Sequence, residues 1–393
     1  MKGKATLAVL SLLITVISCD RTRQSECISI NEDGVPVLSF ENITEMGELK
    51  FSDLAEDFEI IRLETNEECL IDNIMRYFVS DDYIIVSTTF RGIFLFSRDG
   101  RFLKIIAEHG NGPGEVNDPN RNIWFDEKIE TLFVTNQFTS RGELICFNVN
   151  SGKNEKIPIQ YDGSIRDIIV FQDSLLVIST MPIRGYESDC PVFCQTVSGE
   201  VLWKVKHINS NGATNGEIYF YNHKLFFNYI WGGDTLFTLE KEILFAHTIF
   251  NTEKNMYIPG QNENLGDILF GYNILNNKLI SGSYSSIIGF TESQGRIRPE
   301  FGSSKQFIYN YKEGTAFLFD GIKDDILGSE KAFRPPQNNG LFTIYFLPQD
   351  IIALADKLKD DPDVPQEIKA RVLNLSEEIS INDNPILLVS KMK

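Results

Sequence analysis

Residues 81–88 read DDYIIVST, a polar turn followed by a strongly apolar run. The pattern returns as EKIETLFVTN at 127–136, QDSLLVIST at 172–180 and YNHKLFFNYI at 221–230. It returns again as LNNKLISGSY at 275–284 and EGTAFLFD at 313–320. The first three copies are about 45 residues apart and the later spacing varies, a period at which one supersecondary unit repeats. A second pattern, strand–turn–strand, follows most copies: GIFLFSRDGRFLKII (92–106), GELICFNVNSGKNEKIPI (142–159), PVFCQTVSGEVLWKVKHI (191–208), DTLFTLEKEILFAHTI (234–249) and IIGFTESQGRIRPEF (287–301). The runs are short, rich in aromatic and β-branched residues, and bounded by Asp, Asn and Gly, which is how strands and turns are written. Gly100, Gly152 and Gly199 fall at the hairpin tips, where a positive φ is cheap for glycine.

Four strands per repeat and six repeats predict an all-β fold, a six-bladed β-propeller. A blade alone would expose an apolar face; radial stacking buries it and leaves only short edges. The rival is a two-sheet sandwich, which has no reason to keep so regular a period. The propeller is expected to span 57–393. DFEIIRLET at 57–65 is a strand without a repeat of its own, the candidate to close the ring. GLFTIYFLP (340–348) and NPILLVSKMK (384–393) read as the later strands of a degraded sixth repeat. Between them, at about 348–380, lies a helical insertion. It consists of LPQDIIALADKLKDD and PQEIKARVLNLSEEIS, with Pro365 able to start the second helix and Ile368, Val372, Leu375 and Ile379 forming its stripe.

The chain opens MKGKATLAVLSLLITVISCD. Lys2 and Lys4 precede an apolar run from Ala5 to Ile17, too short to span a bilayer but suited to a signal peptide. The run ends in VISC, which resembles the bacterial lipobox, so residues 1–18 are expected to be removed and Cys19 lipidated. Residues 19–56 then read as a tether. The expected address is the cell envelope, at the outer membrane, with a lipid anchor as the membrane contact. The net charge of −18 repels phosphate backbones and excludes nucleic acid as a natural partner. Five cysteines remain, Cys27, Cys69, Cys146, Cys190 and Cys194; an odd, scattered set is not a disulfide framework, although a local 190–194 bridge stays open.

EHGNGPGEVNDPNRNIWFD (108–126) packs three glycines and a proline into five residues. A dinucleotide loop needs GxGxxG and an immediate helix; here the spacing is GxGxG and Pro113 intervenes. No Lys-Ser or Lys-Thr follows, so it is not a phosphate loop either. It reads as a connector between the last strand of one blade and the first of the next. The stretch from DDYIIVST through this loop to ETLFVTN closely resembles the first two blades of the six-bladed β-propeller lipoproteins of Gram-negative bacteria, whose blades are NHL-like. IIRLET, the GNGPGEV turn and DNPILLVSKMK also resemble that group. The resemblance covers about 57–393 and implies an exported, anchored propeller with no shared reaction or ligand.

No catalytic motif stands out. The four histidines, His109, His207, His223 and His247, lie in different repeats, so neither a metal centre nor a cofactor is expected. His109 adjoins the glycine loop and could meet Glu115 and Asp118 near a channel mouth. Paired acids sit in turns at Asp81-Asp82, Asp324-Asp325 and Asp360-Asp361. Arg91, Arg121, Arg141, Arg166 and Arg184 recur near connectors. A ring of them would meet an anionic ligand, and a solvated or structural role is the simpler reading. Tyr186, Tyr229 and Trp231 fall beside glycines in loops, where aromatics suit stacking on a glycan or peptide. The expected function is a non-enzymatic binding or scaffold module whose partner is a glycan, a peptide or an envelope protein. The alternative is a glycan- or peptide-acting hydrolase or lyase with its site at the channel mouth.

Overall fold

The apolar runs are nearly unbroken because both of their faces are buried. In the strand Tyr83–Thr88, Ile84 and Val86 enter one core cluster and Ile85 the cluster on the opposite side. Leu132 and Val134 likewise part from Phe133, Leu176 and Ile178 from Val177, and Leu225 and Phe227 from Phe226. Side chains alternate across a strand, so each sheet is gripped between two neighbours, as a blade must be.

The computed structural model describes residues 27–45, 49–117, 123–136, 143–161, 164–171, 174–181, 190–206, 216–229, 233–252, 265–274, 279–293, 296–319, 321–331 and 341–393. These form six sheets of three or more strands, numbered here in chain order of their first strands. Sheet 1 is Ile74–Val79, Tyr83–Thr88, Gly92–Ser97 and Phe102–Glu108. Sheet 2 is Ile123–Asp126, Thr131–Asn136, Glu143–Asn148 and Asn154–Pro158. Sheet 3 is Ser164–Phe171, Leu175–Met181, Val192–Thr196 and Val201–Lys204. Sheet 4 begins Gly216–Tyr221, Lys224–Tyr229, Thr235–Glu240 and Ile243–Asn251. Sheet 5 begins Asp267–Ile274, Leu279–Ser293, Lys305–Asn310 and Thr315–Phe319. Sheet 6 is Leu341–Phe346, Ile386–Met392 and Ala55–Arg62. First strands of consecutive sheets touch from sheet 1 through sheet 5, so they line the inside of a ring. The fold is a β-propeller. Gly100, Gly152 and Gly199 take φ of +89°, +70° and +90° at hairpin tips, as expected.

The phase of the last repeat differs from expectation. EGTAFLFD is the outer strand of sheet 5, not the start of a sixth sheet. The second strand of sheet 5 runs on to Ser293 and pairs over its far half with Arg296–Phe301. This inserted hairpin lengthens the repeat and shifts the count. The ring-closing strand was correctly placed: Ala55–Arg62 pairs antiparallel with Ile386–Met392. The expected helices are Pro348–Lys359 and Gln366–Glu377, and Ile351, Leu358, Ile368 and Val372 pack them on Phe342, Phe346 and Leu388 of sheet 6.

The stretch expected to be a tether is folded from Cys27 onward. Ile28–Ile30 and Pro36–Ser39 extend sheet 4, the latter joining Ile243–Asn251 in parallel. Thr44–Glu45 then joins the outer strand of sheet 5, also in parallel. The segment therefore straps the rim of sheets 4 and 5, covering edges that would otherwise be open. Leu38 and Phe40 are buried beneath it, and Phe40 meets Tyr284 and Phe307 edge-on at 4.8 and 5.0 Å. Each such side chain contributes about 1.5–3 kcal/mol.

Candidate functional site

In every four-stranded unit the second strand ends where the first begins. The loops from second to third strand and the sheet-to-sheet connectors therefore open on the same end of the ring. At that end the aliphatic pattern breaks. Ser87, Thr135, Ser179, Asn228 and Ser390 occupy the same fifth position of the second strand in five sheets, and all are buried. Their cross-strand partners on the inner strands include Arg76, Asp167 and Glu217, opposite Ser87, Ser179 and Asn228 respectively. Register alone thus sets three charges from three sheets at one level. Bulges at Ile74/Arg76 and Ile165/Asp167 loosen the ladder there, and the Asp167 N–H donates to the Ser179 hydroxyl at 3.1 Å.

These groups form one network. The Arg166 guanidinium pairs with Glu217, and its Nε lies 3.7 Å from Asp167 Oδ2. The Tyr219 hydroxyl donates to the other Glu217 oxygen at 2.5 Å. Side-chain exposure is 31% for Arg166, 34% for Asp167 and 17% for Glu217, so the cluster is enclosed but reached by water. Enclosure pushes the Asp167 carboxyl up to about 6; Glu217 adds to the rise, while Arg166 and Arg76 oppose it. Burial also raises the Tyr219 phenol well above its ordinary range, reinforced by Glu217. Arg76 feels Asp167 and Arg166 from two sheets away, and its pKa is lowered, chiefly by burial. Among the described residues Arg76 has no hydrogen-bond or ion-pair partner. Nor do the buried amide of Asn228 or the indole N–H of Trp124, whose ring meets Phe78 edge-on at 5.8 Å. Unpaired polar groups at this depth are costly unless water or a ligand satisfies them.

The residues expected from sequence fall as follows. The Glu115 carboxylate turns back into its own loop and accepts the Gly112 N–H at 2.6 Å. A Cβ on Gly110 would lie 2.0 Å from that carboxylate, and Gly114 has φ +82°. The glycine loop is therefore a self-filled corner, closed by a parallel bridge between His109 and Val116. His109 is exposed at its edge. Tyr229 requires a correction. It is not a loop residue but the last of its strand, on the same face as Leu225 and Phe227, 2% exposed and 4.9 Å edge-on from Phe227. Strand alternation puts it in the core. Tyr186, Trp231, Asp118 and Cys19 lie outside the described residues, as do Arg121, Arg141 and Arg184. Arg91 holds backbone carbonyls, those of Leu70 at 2.6 Å and Glu67 at 3.3 Å. Of the arginine series, Arg166 is in the cluster; Arg76, Asp167, Glu217 and Tyr219 were not anticipated.

A separate cavity of about 700 Å³ opens at the other end of the ring, between sheets 3 and 4. Leu175, Leu202 and Trp203 contribute to its lining, and Lys224, Lys241, Glu240 and Glu242 balance each other around it. No unpaired buried polar group faces it among the described residues, so the chemistry resides at the first end.

The fold and this entrance define a β-propeller whose channel mouth is polar and charged. The chain belongs to the family described as Domain of unknown function (DUF4934), which matches residues 35–391. No curated protein matches it. The fold is similar to the crystal structure of a Bacteroides fragilis NCTC 9343 protein named for its inferred export. The TM-score is 0.62 at 14% identity, with 91% of this chain and 99% of that one covered. BamB from Moraxella catarrhalis overlaps at TM-score 0.33 and 11% identity, over 56% of this chain and 58% of that one. The β-propeller domain of Cps50 (Swd1) from Myceliophteria thermophila overlaps at 0.32 and 7%, over 63% and 89%.

Proposed function

We propose that the protein is an exported lipoprotein, anchored at the outer membrane through Cys19, whose six-bladed propeller is a non-enzymatic binding or scaffold module. Its site is the channel mouth. The observation that carries this reading is a set of buried polar atoms at that level with no hydrogen-bond partner among the described residues, the Asn228 amide above all, with the Thr135 and Ser390 hydroxyls and Arg166 Nε, beside the half-buried Arg76 guanidinium. Such groups are held ready for a polar ligand. Tyr186 and Trp231, which follow the second strands of sheets 3 and 4 in sequence, are the aromatic candidates in this reading. His109 borders the connector on that face, and Glu115 shapes it. The signal-like N-terminus and the similarity to a protein of inferred export support the address.

One observation favours a second reading. Asp167, with its carboxyl near 6, and Glu217 flank a single guanidinium, and a carboxyl poised there can move protons. That would suit a hydrolase or lyase acting on glycans or peptides. Both acids are already engaged with Arg166, and no activated nucleophile adjoins them among the described residues, so binding is the better account. The test is a screen of the full chain against glycans and envelope peptides that reads binding and product together. Saturable binding without product is expected. Turnover lost in Asp167→Asn would establish the enzyme instead. Replacing Cys19 with Ala and following membrane fractionation tests the anchor; unchanged lipid labelling would sink it.

A further inference from the structure

We infer that the ligand of the channel mouth carries a carboxylate, and that Arg76 is the group that receives it. This rests on the reading of the mouth as the binding site. Glu217 is satisfied on both oxygens, by Arg166 on one side and by Tyr219 on the other. Asp167 already faces Arg166. Arg76 sits at the same level, fixed by its register with Ser87, yet has no partner among the described residues. A guanidinium presents a planar fork of donors that matches a carboxylate at two points, and it cannot shed its proton to escape burial. The neighbouring acid does not take that role: Asp167 is turned to Arg166 and makes no ion pair with Arg76 among the described residues. The Asn228 amide is open as well, with both a donor and an acceptor unpartnered beside Glu217 among the described residues. It fits a hydroxyl or amide on the same ligand.

A carboxylate can come from a uronic acid or from a peptide C-terminus, and matched probe pairs separate the sources. Glucuronate is compared with glucose, and N-acetylalanine with its amide, by titration calorimetry on the full chain in mild detergent. The carboxylate member of at least one pair should bind about 10- to 100-fold more tightly than its neutral partner, the value of a charge-assisted pair. Preference confined to the sugar pair assigns the uronate source; preference confined to the peptide pair assigns the C-terminus. Arg76→Gln should erase the preference while circular dichroism stays unchanged and melting does not fall. Arg76→Lys keeps the charge without the fork and should retain part of it. If neutral and acidic members bind equally, and Tyr219→Phe weakens both, the carboxylate inference falls while the mouth stands as the site. If no probe binds, or binding ignores both Arg76→Gln and Tyr219→Phe, the inference and the site reading fall together.

Discussion

Asn384 should control closure of the ring. It lies just before Ile386–Met392, the second strand of sheet 6, and is 2% exposed. Its Oδ1 accepts the Ile71 N–H at 2.7 Å, and its Nδ2 donates to the Glu64 carbonyl at 2.6 Å and the Cys69 carbonyl at 2.8 Å. One amide therefore ties the C-terminal strand to the segment that leads into sheet 1. Asn384→Ala removes three bonds worth about 1 kcal/mol each and strands three backbone groups, so the loss should be about 3–5 kcal/mol. Taking 3 kcal/mol and an unfolding entropy of about 2 cal/mol/K for each of some 340 residues, melting should fall by about 4 °C. Asn384→Asp should also be destabilising, since it sets a carboxylate oxygen against two carbonyls. It should recover as pH falls, because only the protonated acid can donate to either carbonyl. The folded state raises that pKa, so the stabilising form is present at low pH and is lost as pH rises through it. Differential scanning calorimetry measures the shift, and hydrogen exchange should show Ala55–Arg62 and Ile386–Met392 losing protection first. Melting of Asn384→Ala within about 1 °C of the parent would refute the closure argument, since that shift corresponds to less than 1 kcal/mol.

Three further outcomes follow from the same geometry. Gly110→Ala should destabilise the connector, because the new Cβ falls 2.0 Å from the Glu115 carboxylate; adding Glu115→Ala should relieve the clash, giving a coupled double-mutant cycle in urea unfolding. Asp167 should make stability fall as pH rises. Its folded pKa is raised from 3.8 to about 6, so its favourable contribution is full below 3.8 and gone above about 6. With a third of its surface in water and Arg76, Arg166 and Glu217 around it, the loss should be about 1–2 kcal/mol, and Asp167→Asn should lack it in pH-dependent melting. All five cysteines from Cys27 on are buried thiols, with Cys146 pushed up to about 12 and Cys194 to about 11 by burial, so a thiol reagent at neutral pH should label none of them until denaturant is added. Rapid labelling of Cys190 or Cys194 in the folded protein would contradict their placement in the seams on opposite sides of sheet 3.

The fold was legible because each blade repeats a local signal, and local signals survive in a linear string. Ile84, Leu132, Leu176 and Leu225 follow polar turns at similar intervals and prove to be equivalent. The count slipped where a long-range event intervened: the hairpin ending in Arg296–Phe301 inserts into sheet 5, and EGTAFLFD then mimics a new repeat. The rim strap was misread as a tether for a related reason. Its strands are only two to four residues long, and Pro36–Ser39 and Thr44–Glu45 join their sheets in parallel, so only the hairpin turn at Gly34 marks them in the sequence. The GNGPGE corner was readable as a turn. That Glu115 fills it depends on where a carboxylate folds back, which spacing does not fix.

The site was hidden because it is assembled by register. Arg76, Asp167 and Glu217 are far apart in sequence, and each alone looks like a charge on an ordinary strand. A fainter signal was available: the second strands end IIVST, LFVTN, LLVIST, LFFNY and ILLVS, an aliphatic run broken each time by a small polar residue. An aliphatic residue at this position would bury more apolar surface and stabilise the seam. Its replacement in five sheets by Ser87, Thr135, Ser179, Asn228 and Ser390 therefore gives up stability at one level of the ring. What the polar level supplies is hydrogen-bonding capacity beside the inner strands, and a charge can be enclosed only where such capacity exists. The polar positions and the charges on the inner strands are thus two halves of one arrangement. Strand register, rather than the loops above, holds Arg76, Asp167 and Glu217 at their common level. In the proposed reading, selectivity for a charged group would belong to that level of the ring, and the loops would differ in what they add to it.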